Sequence, residues 1–405
     1  MTKQDLLTKL SFGESIAEYE AQKLKDYFFE TEYWKLLRNG TNDIIYGAKG
    51  SGKSALYMSI SNDVDNLFDE NIFLVHAENP SGNTAFSNLK NEPPTSESEL
   101  IKLWKLYFVV MISNIFTDYD LKDEFSTKIR KILNDCELIP AQNRLSSILK
   151  VCLDFVNSFT NSKEISTTAE IDSVTGFYSG QKFSLVFGET SKKDFDSGKV
   201  PLDYLYELIT DCLDRNNINV WIIIDRLDVA FIESEELETN ALRALFKTYL
   251  DLITYSRIKL KIFLRDDIWE KITVEGFREA SHITKFQKIT WSKESLLNLI
   301  IRRILDNEHL VEDYSLDKKE ILQDFNKQEE LFYFFFPKQI DNGSKKPATI
   351  DWMLSRTKDG KGINTPRELI QLFNNARNVQ IKKIENGIDD LTGNIISLSL
   401  TKPTI

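Results

Sequence analysis

A glycine-rich loop between an apolar run and a helical pattern constrains this chain more than any other feature. The loop reads Gly47-Ala48-Lys49-Gly50-Ser51-Gly52-Lys53-Ser54; residues 43–46 before it are mostly apolar, and residues 55–60 after it are helix-like. Its glycines let backbone amides close around an anion, and the following helix directs the positive end of its dipole at that anion. The pattern is typical of a phosphate-binding loop, and it predicts an α/β, three-layer P-loop fold with a central parallel sheet.

The side chains of this loop have separate predicted roles. Lys53 is predicted to reach the β- and γ-phosphates of a nucleotide, and the Ser54 hydroxyl is predicted to bind Mg²⁺. The predicted nucleotide-binding residues are Gly47, Gly50, Ser51, Gly52, Lys53, Ser54 and Ala55. The alternative is a solvated glycine-serine turn that matches the pattern by chance, and the strand and helix patterns on either side argue against it.

A carboxylate follows the nearly continuous apolar run of residues 219–224. Such a run is typical of a central strand buried on both faces, so we predict that Asp225 binds Mg²⁺ at the end of that strand. Alternatively, Asp225 only ends a core strand in a turn. Arg226 rather than glutamate comes next, and Asp228 is the nearest carboxylate that can orient an attacking water. Asp228 is equally suited to cap the next helix or to pair with Arg226.

Arg265 is a candidate sensor of the terminal phosphate. It follows the alternating strand pattern of residues 258–264. A charged residue at the end of a strand beside the metal-binding strand faces the γ-phosphate in this architecture. The alternative is a salt bridge from Arg265 to Asp266 or Asp267.

Arg367 is the second candidate sensor. The segment Thr365-Pro366-Arg367-Glu368 predicts a helix start, with Thr365 as the cap, Pro366 at the first position and Glu368 three residues after the cap. From that rigid turn a guanidinium can reach a bound phosphate and report hydrolysis as a domain movement. The alternative is an exposed arginine on a capped helix.

Composition and length exclude several classes of protein. The chain has 405 residues, enough for a large domain and a smaller one, and its net charge of −11 argues against a broad nucleic-acid-binding surface. The cysteines Cys136, Cys152 and Cys212 lack metal-site spacing and suit a reducing cytosol. The most apolar stretch, residues 103–116, contains Lys105 and is too short to span a bilayer, so we expect a soluble, cytoplasmic protein.

The patterns predict three parts along the chain. Residues 1–40 form a helical preamble, in which Ser15-Ile16-Ala17-Glu18 has the spacing of a capping box for a helix to about residue 28. Residues 41–291 form the nucleotide core, with a helical insertion at about 95–160 and a β-hairpin or flap at about 162–197. Residues 292–405 form a smaller, mostly helical lid domain or a winged helix.

Two aromatic groups have more than one interpretation. The side chains of Tyr27, Phe28, Phe29, Tyr33 and Trp34 belong either to an adenine pocket or to a core. Residues 331–337 contain six consecutive large side chains before a proline, which cannot all point inward from one helix. Part of that segment is expected to face a partner.

Together these motifs resemble the STAND and KAP-type P-loop ATPases of bacteria, relatives of the AAA+ group. The resemblance rests on residues 47–54, 222–228, 263–265 and 365–367, and it covers about residues 12–377. It implies ATP rather than GTP, a helical or winged-helix lid, and a strand that separates the metal-binding strand from the phosphate-loop strand. By position it implies Lys53 and Ser54 for nucleotide and Mg²⁺, Asp225 for the metal, and Arg265 and Arg367 as first and second sensors.

Three functional hypotheses follow from the resemblance and the residues. The first is a slow ATPase that acts as a conformational switch of self-assembly or of an effector protein, as in bacterial defence against phage. The second is an ATP-dependent scaffold without turnover, because no glutamate follows Asp225. The third is a DNA-associated ATPase, which the acidic composition disfavours. The expected partners are further copies of the chain or a separate effector, without a membrane.

Overall fold

Among the residues that the structure describes, the chain forms an α/β arrangement with a five-stranded parallel sheet, in this computed structural model. Those residues are 3–20, 23–24, 31–79, 84–86, 96–161, 170–171, 178–179, 183–227, 235–274, 277–340, 343–388 and 396. Three sequence-based predictions lie outside them: the role of Asp228, the adenine pocket at residues 27–29, and most of the flap.

The strands, in chain order, are β1 (Ile44–Gly47), β2 (Ile72–His76), β3 (Glu170–Ile171), β4 (Tyr178–Ser179), β5 (Ser184–Val186), β6 (Lys199–Pro201), β7 (Asn219–Ile224), β8 (Ile258–Arg265) and β9 (Phe286–Lys288). The order in the five-stranded sheet is β2-β7-β8-β1-β9. β8 therefore lies between β1, which leads into the glycine-rich loop, and β7, which leads into Asp225. This is the separation of strands that the resemblance implies.

The α-helices, in chain order, are α1 (Lys3–Lys9), α2 (Glu32–Arg38), α3 (Lys53–Asn62), α4 (Val64–Asp69), α5 (Glu97–Asp118), α6 (Glu124–Asp135), α7 (Leu145–Asn161), α8 (Lys192–Asp196), α9 (Leu202–Asn216), α10 (Glu235–Leu252), α11 (Asp266–Val274), α12 (Lys293–Leu305), α13 (Glu308–Asp313), α14 (Lys318–Gln323), α15 (Phe325–Phe335), α16 (Thr349–Arg356) and α17 (Pro366–Glu385).

The apolar runs of the sequence explain why β7 and β8 lie inside the sheet. β7 is buried from Val220 to Ile224, and β8 is buried along most of its length. The two strands pair in parallel, with Val220 opposite Ile258, and β2 pairs with the other edge of β7. A strand covered on both faces needs apolar side chains at consecutive positions, and residues 219–224 provide them.

Contacts between Cα atoms divide the chain into two units. Unit 1 comprises Met1–Asn39, Tyr46–Ser59 and Lys288–Ile405, and unit 2 comprises Gly40–Ile45 and Ile60–Gln287. The glycine-rich loop therefore belongs to the same unit as both ends of the chain. Near the predicted boundary at residue 291, the chain passes from unit 2 into unit 1 at residue 288.

In unit 2 the predicted helical insertion consists of α5, α6 and α7. The Trp104 Nε1 of α5 donates a hydrogen bond to the Ala241 carbonyl at 2.9 Å, and the Tyr107 hydroxyl donates to the Ala77 carbonyl at 2.9 Å. By length and composition α5 could cross a membrane, but 67% of its most apolar window is buried inside the chain. Such burial is typical of the core helix of a soluble protein.

The described residues of the predicted flap contain two short strand pairs. β3 pairs with β4 in antiparallel fashion, and β5 pairs in parallel with β6. The first pair is antiparallel, as in a β-hairpin. In the second pair, α8 lies between the two strands in sequence.

Unit 1 is built around one apolar cluster shared by the two ends of the chain. Leu6, Leu10 and Phe12 pack into the same core as side chains of α12, α15, α16 and α17. The Phe12 and Phe373 rings lie 5.1 Å apart. In the aromatic run, Phe332, Phe335 and Phe336 are buried in this core, whereas Phe334 is 42% exposed.

The helix predicted from Ser15 to about residue 28 is wrong over its first turn. Ala17–Tyr19 form a 3-10 turn instead, and Ile16 rather than Ser15 occupies its cap position. The reason is a buried ion pair: the Glu20 carboxylate accepts a hydrogen bond from the Glu14 amide and lies 3.1 Å from the Arg303 guanidinium. Arg303 comes from α12, so a contact distant in sequence overrides the local pattern.

Candidate functional site

The glycine-rich loop makes a tight turn from β1 into α3. Gly50 and Gly52 have φ values of 81° and 100°, in the left-handed region that side chains other than glycine rarely adopt. The Ser51 amide donates to the Ala48 carbonyl at 3.1 Å, and the Leu56 amide donates to the Gly52 carbonyl at 3.0 Å. The strand, the turn and the helix lie where the sequence predicted them.

Lys53 is directed back into the loop from the first position of α3. Its Nζ donates to the carbonyl oxygens of Gly47 and Ala48, both at 2.9 Å. An ammonium group held inside a ring of backbone groups is placed to exchange these carbonyl oxygens for the oxygens of an anion. The hydroxyl-bearing Ser54 follows on the same helical turn and is half-buried.

The opposite side of the loop is closely packed around Ser51. Ser51 is 2% exposed, and its Oγ has no hydrogen-bond partner among the described residues. A Cβ placed on Gly47 would lie 2.7 Å from this Oγ and 3.2 Å from the Ile289 Cβ, so a side chain there would require Ser51 to shift. The Trp291 Nε1 fixes the backbone by donating to the Ser51 carbonyl at 2.8 Å.

The loop residues fit a polyphosphate ligand. They combine an ammonium group, two glycines with left-handed backbone and a buried hydroxyl that finds no partner within the described part of the chain, next to the N-terminus of the ten-residue helix α3. A buried hydroxyl without a hydrogen bond costs about 1–3 kcal/mol. A phosphate oxygen that accepts from Ser51 would recover that cost.

The first turn of α17 lies directly on the loop. The Arg367 amide is directed at the Gly50 carbonyl at 3.4 Å. A Cβ placed on Gly50 would lie 2.8 Å from the Arg367 Cβ and 3.2 Å from the Thr365 Oγ1. The Arg367 side chain does not contact the loop through its Nε, which donates to the Ser15 carbonyl at 3.3 Å. The backbone amide of Arg367 and the Cβ and Cδ atoms of its side chain therefore lie against Gly50, while its Nε is engaged by Ser15.

Thr365 occupies the predicted cap position of α17 but does not cap the helix. Its side chain accepts no hydrogen bond from the first turn, although Pro366 is at the first helical position as predicted. Thr365 is 2% exposed, and its Oγ1 has no partner within the described part of the chain. The predicted helix start is therefore confirmed in position, whereas the Thr365 hydroxyl makes no capping hydrogen bond and lies against Gly50 instead.

In unit 2, Asp225 follows β7 and is buried. The next residue, Arg226, has a φ of 59°, which is rare for a residue with a side chain and often marks a functional position. Its Nη1 donates to the Asn79 carbonyl at 3.1 Å. The chain therefore turns sharply directly after the predicted metal ligand.

Glu78 is a buried carboxylate that the sequence reasoning missed, just after the strand that pairs with β7. The β2–β7 register pairs His76 with Ile223, and the Ala77 amide donates to the Ile223 carbonyl, so the two strands still pair one residue before Glu78. Glu78 lies two residues after the end of β2. This is the signal that singled out Asp225 and Arg265, and it was available for Glu78 as well.

Three donors hold the Glu78 carboxylate in place. It accepts from the Thr84 hydroxyl at 2.6 Å, from the Asn79 amide at 2.6 Å and from the Ala85 amide at 2.9 Å. Glu78 is 1% exposed, and this burial raises its pKa, although the same hydrogen bonds act to lower it. Its position is therefore fixed by backbone and side-chain donors of the following loop.

Arg265 forms the ion pair that the sequence offered as an alternative to a sensor. At the end of β8, its Nε and Nη2 donate to the two oxygens of Asp267 at 3.0 and 2.6 Å. The guanidinium is about one-third exposed, so the pair itself contributes little to stability.

No group of three or more His, Cys, Asp or Glu side chains in the described ranges is arranged to hold a metal ion. A Mg²⁺ bound with a nucleotide needs fewer protein ligands, because phosphate oxygens and water supply the others. Neither a protein-family model, nor a curated protein, nor a solved structure matches the chain.

Proposed function

We propose that this chain binds ATP with Mg²⁺ through the loop of residues 47–54, hydrolyses it slowly and acts as a nucleotide-dependent switch. The loop geometry carries the proposal: left-handed Gly50 and Gly52, the inward Lys53 ammonium and the unpartnered Ser51 hydroxyl are all features that an anion would use. The order of strands in the sheet and the sequence motifs support the choice of a nucleotide.

Each residue has one role in this proposal. Lys53 and the loop amides would bind the phosphates, and Ser54 and Asp225 would hold Mg²⁺, which would supply positive charge to the phosphate oxygens. Arg265 and Arg367 would respond to the terminal phosphate after leaving Asp267 and Ser15, respectively. A carboxylate would accept the proton of the attacking water as the water oxygen bonds to the γ-phosphorus and the bond from the γ-phosphorus to the bridging oxygen breaks, which releases phosphate and ADP.

The switch in this proposal is the contact between α17 and the loop. The Arg367 amide and the Thr365 side chain pack on Gly50. A ligand that moves the Gly50 peptide would therefore also alter the contact on which the 20-residue helix α17 rests. A ligand shifts a conformational equilibrium only by its difference in affinity for the two states. In this proposal, nucleotide bound in the loop has different affinities for the two states because α17 contacts the loop in one of them.

We expect the purified chain to bind MgATP with a dissociation constant between about 1 μM and 1 mM and to release phosphate. Isothermal titration calorimetry and a phosphate-release assay measure the two steps, and mass photometry with and without MgATP measures assembly. Binding without release would favour the scaffold, and stimulation by DNA at low salt, lost as salt rises, would favour the DNA-associated ATPase. Absence of any nucleotide binding would refute the proposal.

Glu78 and Asp228 are competing candidates for the proton acceptor, and we expect Glu78→Gln to have the larger effect. Glutamine keeps one oxygen for the Asn79 and Ala85 amides and can donate to the Thr84 hydroxyl, so the loop is retained. Loss of a general base lowers kcat by roughly 10²–10⁴-fold. Single-turnover phosphate release and ATP titration should show this fall in kcat with an ATP affinity within about threefold of wild type.

Asp228→Asn is the matched comparison for that measurement. A fall in kcat for Asp228→Asn with normal turnover of Glu78→Gln would reverse the assignment. Equal loss of ATP affinity and of turnover in Glu78→Gln would indicate a structural role for Glu78.

A further inference from the structure

Two buried hydroxyls, one in the loop and one on α17, have no hydrogen-bond partner among the residues that the structure describes. The Ser51 Oγ belongs to the loop itself, and the Thr365 Oγ1 belongs to α17, 3.2 Å from the position of a Cβ on Gly50. Both side chains are 2% exposed. A folded chain rarely buries a hydroxyl donor without a partner, so each of these hydroxyls points to an acceptor that is supplied from outside the chain.

The N-terminus of α17 presents other donors to the same place. Thr365 leaves the amides of the first turn without its side-chain oxygen, and the Arg367 amide is directed at the Gly50 carbonyl at 3.4 Å. That distance is longer than a normal N–H···O hydrogen bond, so the contact is weak and easily exchanged. The positive end of the helix dipole adds to the attraction for an anion.

We propose that Thr365 and the first turn of α17 form a second phosphate-binding element, in which the Thr365 hydroxyl donates to a phosphate oxygen of a nucleotide bound in the loop. This inference rests on the proposed function and adds to it the residue by which α17 contacts the ligand. The acceptor is a polyphosphate oxygen, since it must be anionic and reach the loop and the helix N-terminus together.

This role differs from that of Arg367. The Arg367 Nε donates to the Ser15 carbonyl, and the Thr365 hydroxyl needs no movement of that guanidinium to meet a phosphate. Movement of the Gly50 peptide is enough, because the Gly50 carbonyl is the group now facing the α17 amide. Thr365 therefore couples the state of the loop directly to the position of α17.

The test is Thr365→Val, which keeps the shape of the side chain and removes the hydroxyl. Without ligand, the thermal midpoint of this variant is expected to equal or exceed that of wild type, because the variant removes an unsatisfied buried donor. Its dissociation constant for MgATP is expected to rise by about 10- to 100-fold, the effect of losing a hydrogen bond to a charged group. Thr365→Ser retains the hydroxyl and is expected to bind like wild type.

Calorimetric titrations with MgATP, MgADP and pyrophosphate distinguish the phosphate that is contacted. Weaker binding of MgATP alone would identify the terminal phosphate, and weaker binding of all three would identify the phosphates they share; either supports the proposal. A Thr365→Val variant with wild-type affinity for all three ligands, or with lower stability and unchanged affinity, overturns it and leaves the proposed function intact. A wild-type chain that binds none of the ligands overturns both.

Discussion

Lys53→Ala is expected to weaken MgATP binding by at least about 100-fold and to reduce phosphate release to background. The Lys53 Nζ lies inside the loop, 2.9 Å from the carbonyl oxygens of Gly47 and Ala48. A hydrogen bond to a charged group contributes about 1.5–3 kcal/mol, and the ammonium is proposed to bond two phosphates. Calorimetric titration with MgATP and a phosphate-release assay measure both losses in the same preparation.

Lys49→Ala is the matched control for this experiment. Lys49 belongs to the same loop and carries the same charge, but its side chain is exposed. An exposed charge next to a site contributes little at physiological ionic strength, so an affinity within about threefold of wild type is expected. If both variants lost affinity equally, the loop would attract nucleotide only through its net charge, and the proposed geometry of Lys53 would be wrong.

Elements with a strong local signal were predictable from the sequence. The apolar run of residues 219–224 became β7, residues 258–264 became β8 with Arg265 at its end, and Ser292 caps α12 by accepting from the Ser295 amide. In these segments burial on both faces or a capping side chain decides the structure, and both are encoded within a few residues.

Predictions failed where contacts distant in sequence decide the structure. The helix that the capping-box spacing at Ser15 predicts does not begin there; instead, Glu20 forms an ion pair with Arg303, a residue far away in the chain. Thr365 is at the predicted N-cap, but its hydroxyl lies against Gly50 and makes no capping hydrogen bond. The role of Glu78 depends on donors from the loop that follows it, Thr84 and Ala85, which a local pattern does not reveal. A local pattern indicates what a segment can form, and the tertiary partner selects the outcome.

Another such partner is the buried Lys261, which holds the start of the strand that leads into the loop. Lys261 lies on β8 with a side chain that is 0% exposed, and its Nζ is 2.8 Å from the Asp43 carboxylate. It also donates to the Asn42 carbonyl at 2.7 Å and lies 4.7 Å from the centre of the Trp221 ring. Burial lowers the pKa of Lys261 to about 8, against the attraction of Asp43, which raises it.

Lys261→Met is expected to reduce the free energy of unfolding of unit 2 by about 3–5 kcal/mol, because it leaves the Asp43 carboxylate buried without this partner. The difference in free energy of unfolding between wild type and Lys261→Met should grow between pH 8 and 10. The pKa of Lys261 is about 8 in the folded chain, below the 10.5 of an ordinary lysine, so the unfolded chain binds more protons in this range. Wild-type stability therefore gains from this lysine as pH rises, and the methionine variant does not.

Urea unfolding of wild type and variants at pH 7.5 and 10, monitored by tryptophan fluorescence, measures these differences. Lys259→Met is the control, since Lys259 lies two residues earlier on the same strand, also faces the Trp221 ring and is only half-buried. Lys259→Met is expected to reduce the free energy of unfolding by less than about 1 kcal/mol. Adding Asp43→Asn to Lys261→Met should restore part of the lost stability, because the uncompensated charge is removed. A double variant no more stable than Lys261→Met would show that the lysine stabilises unit 2 through its carbonyl and aromatic contacts instead of through the ion pair.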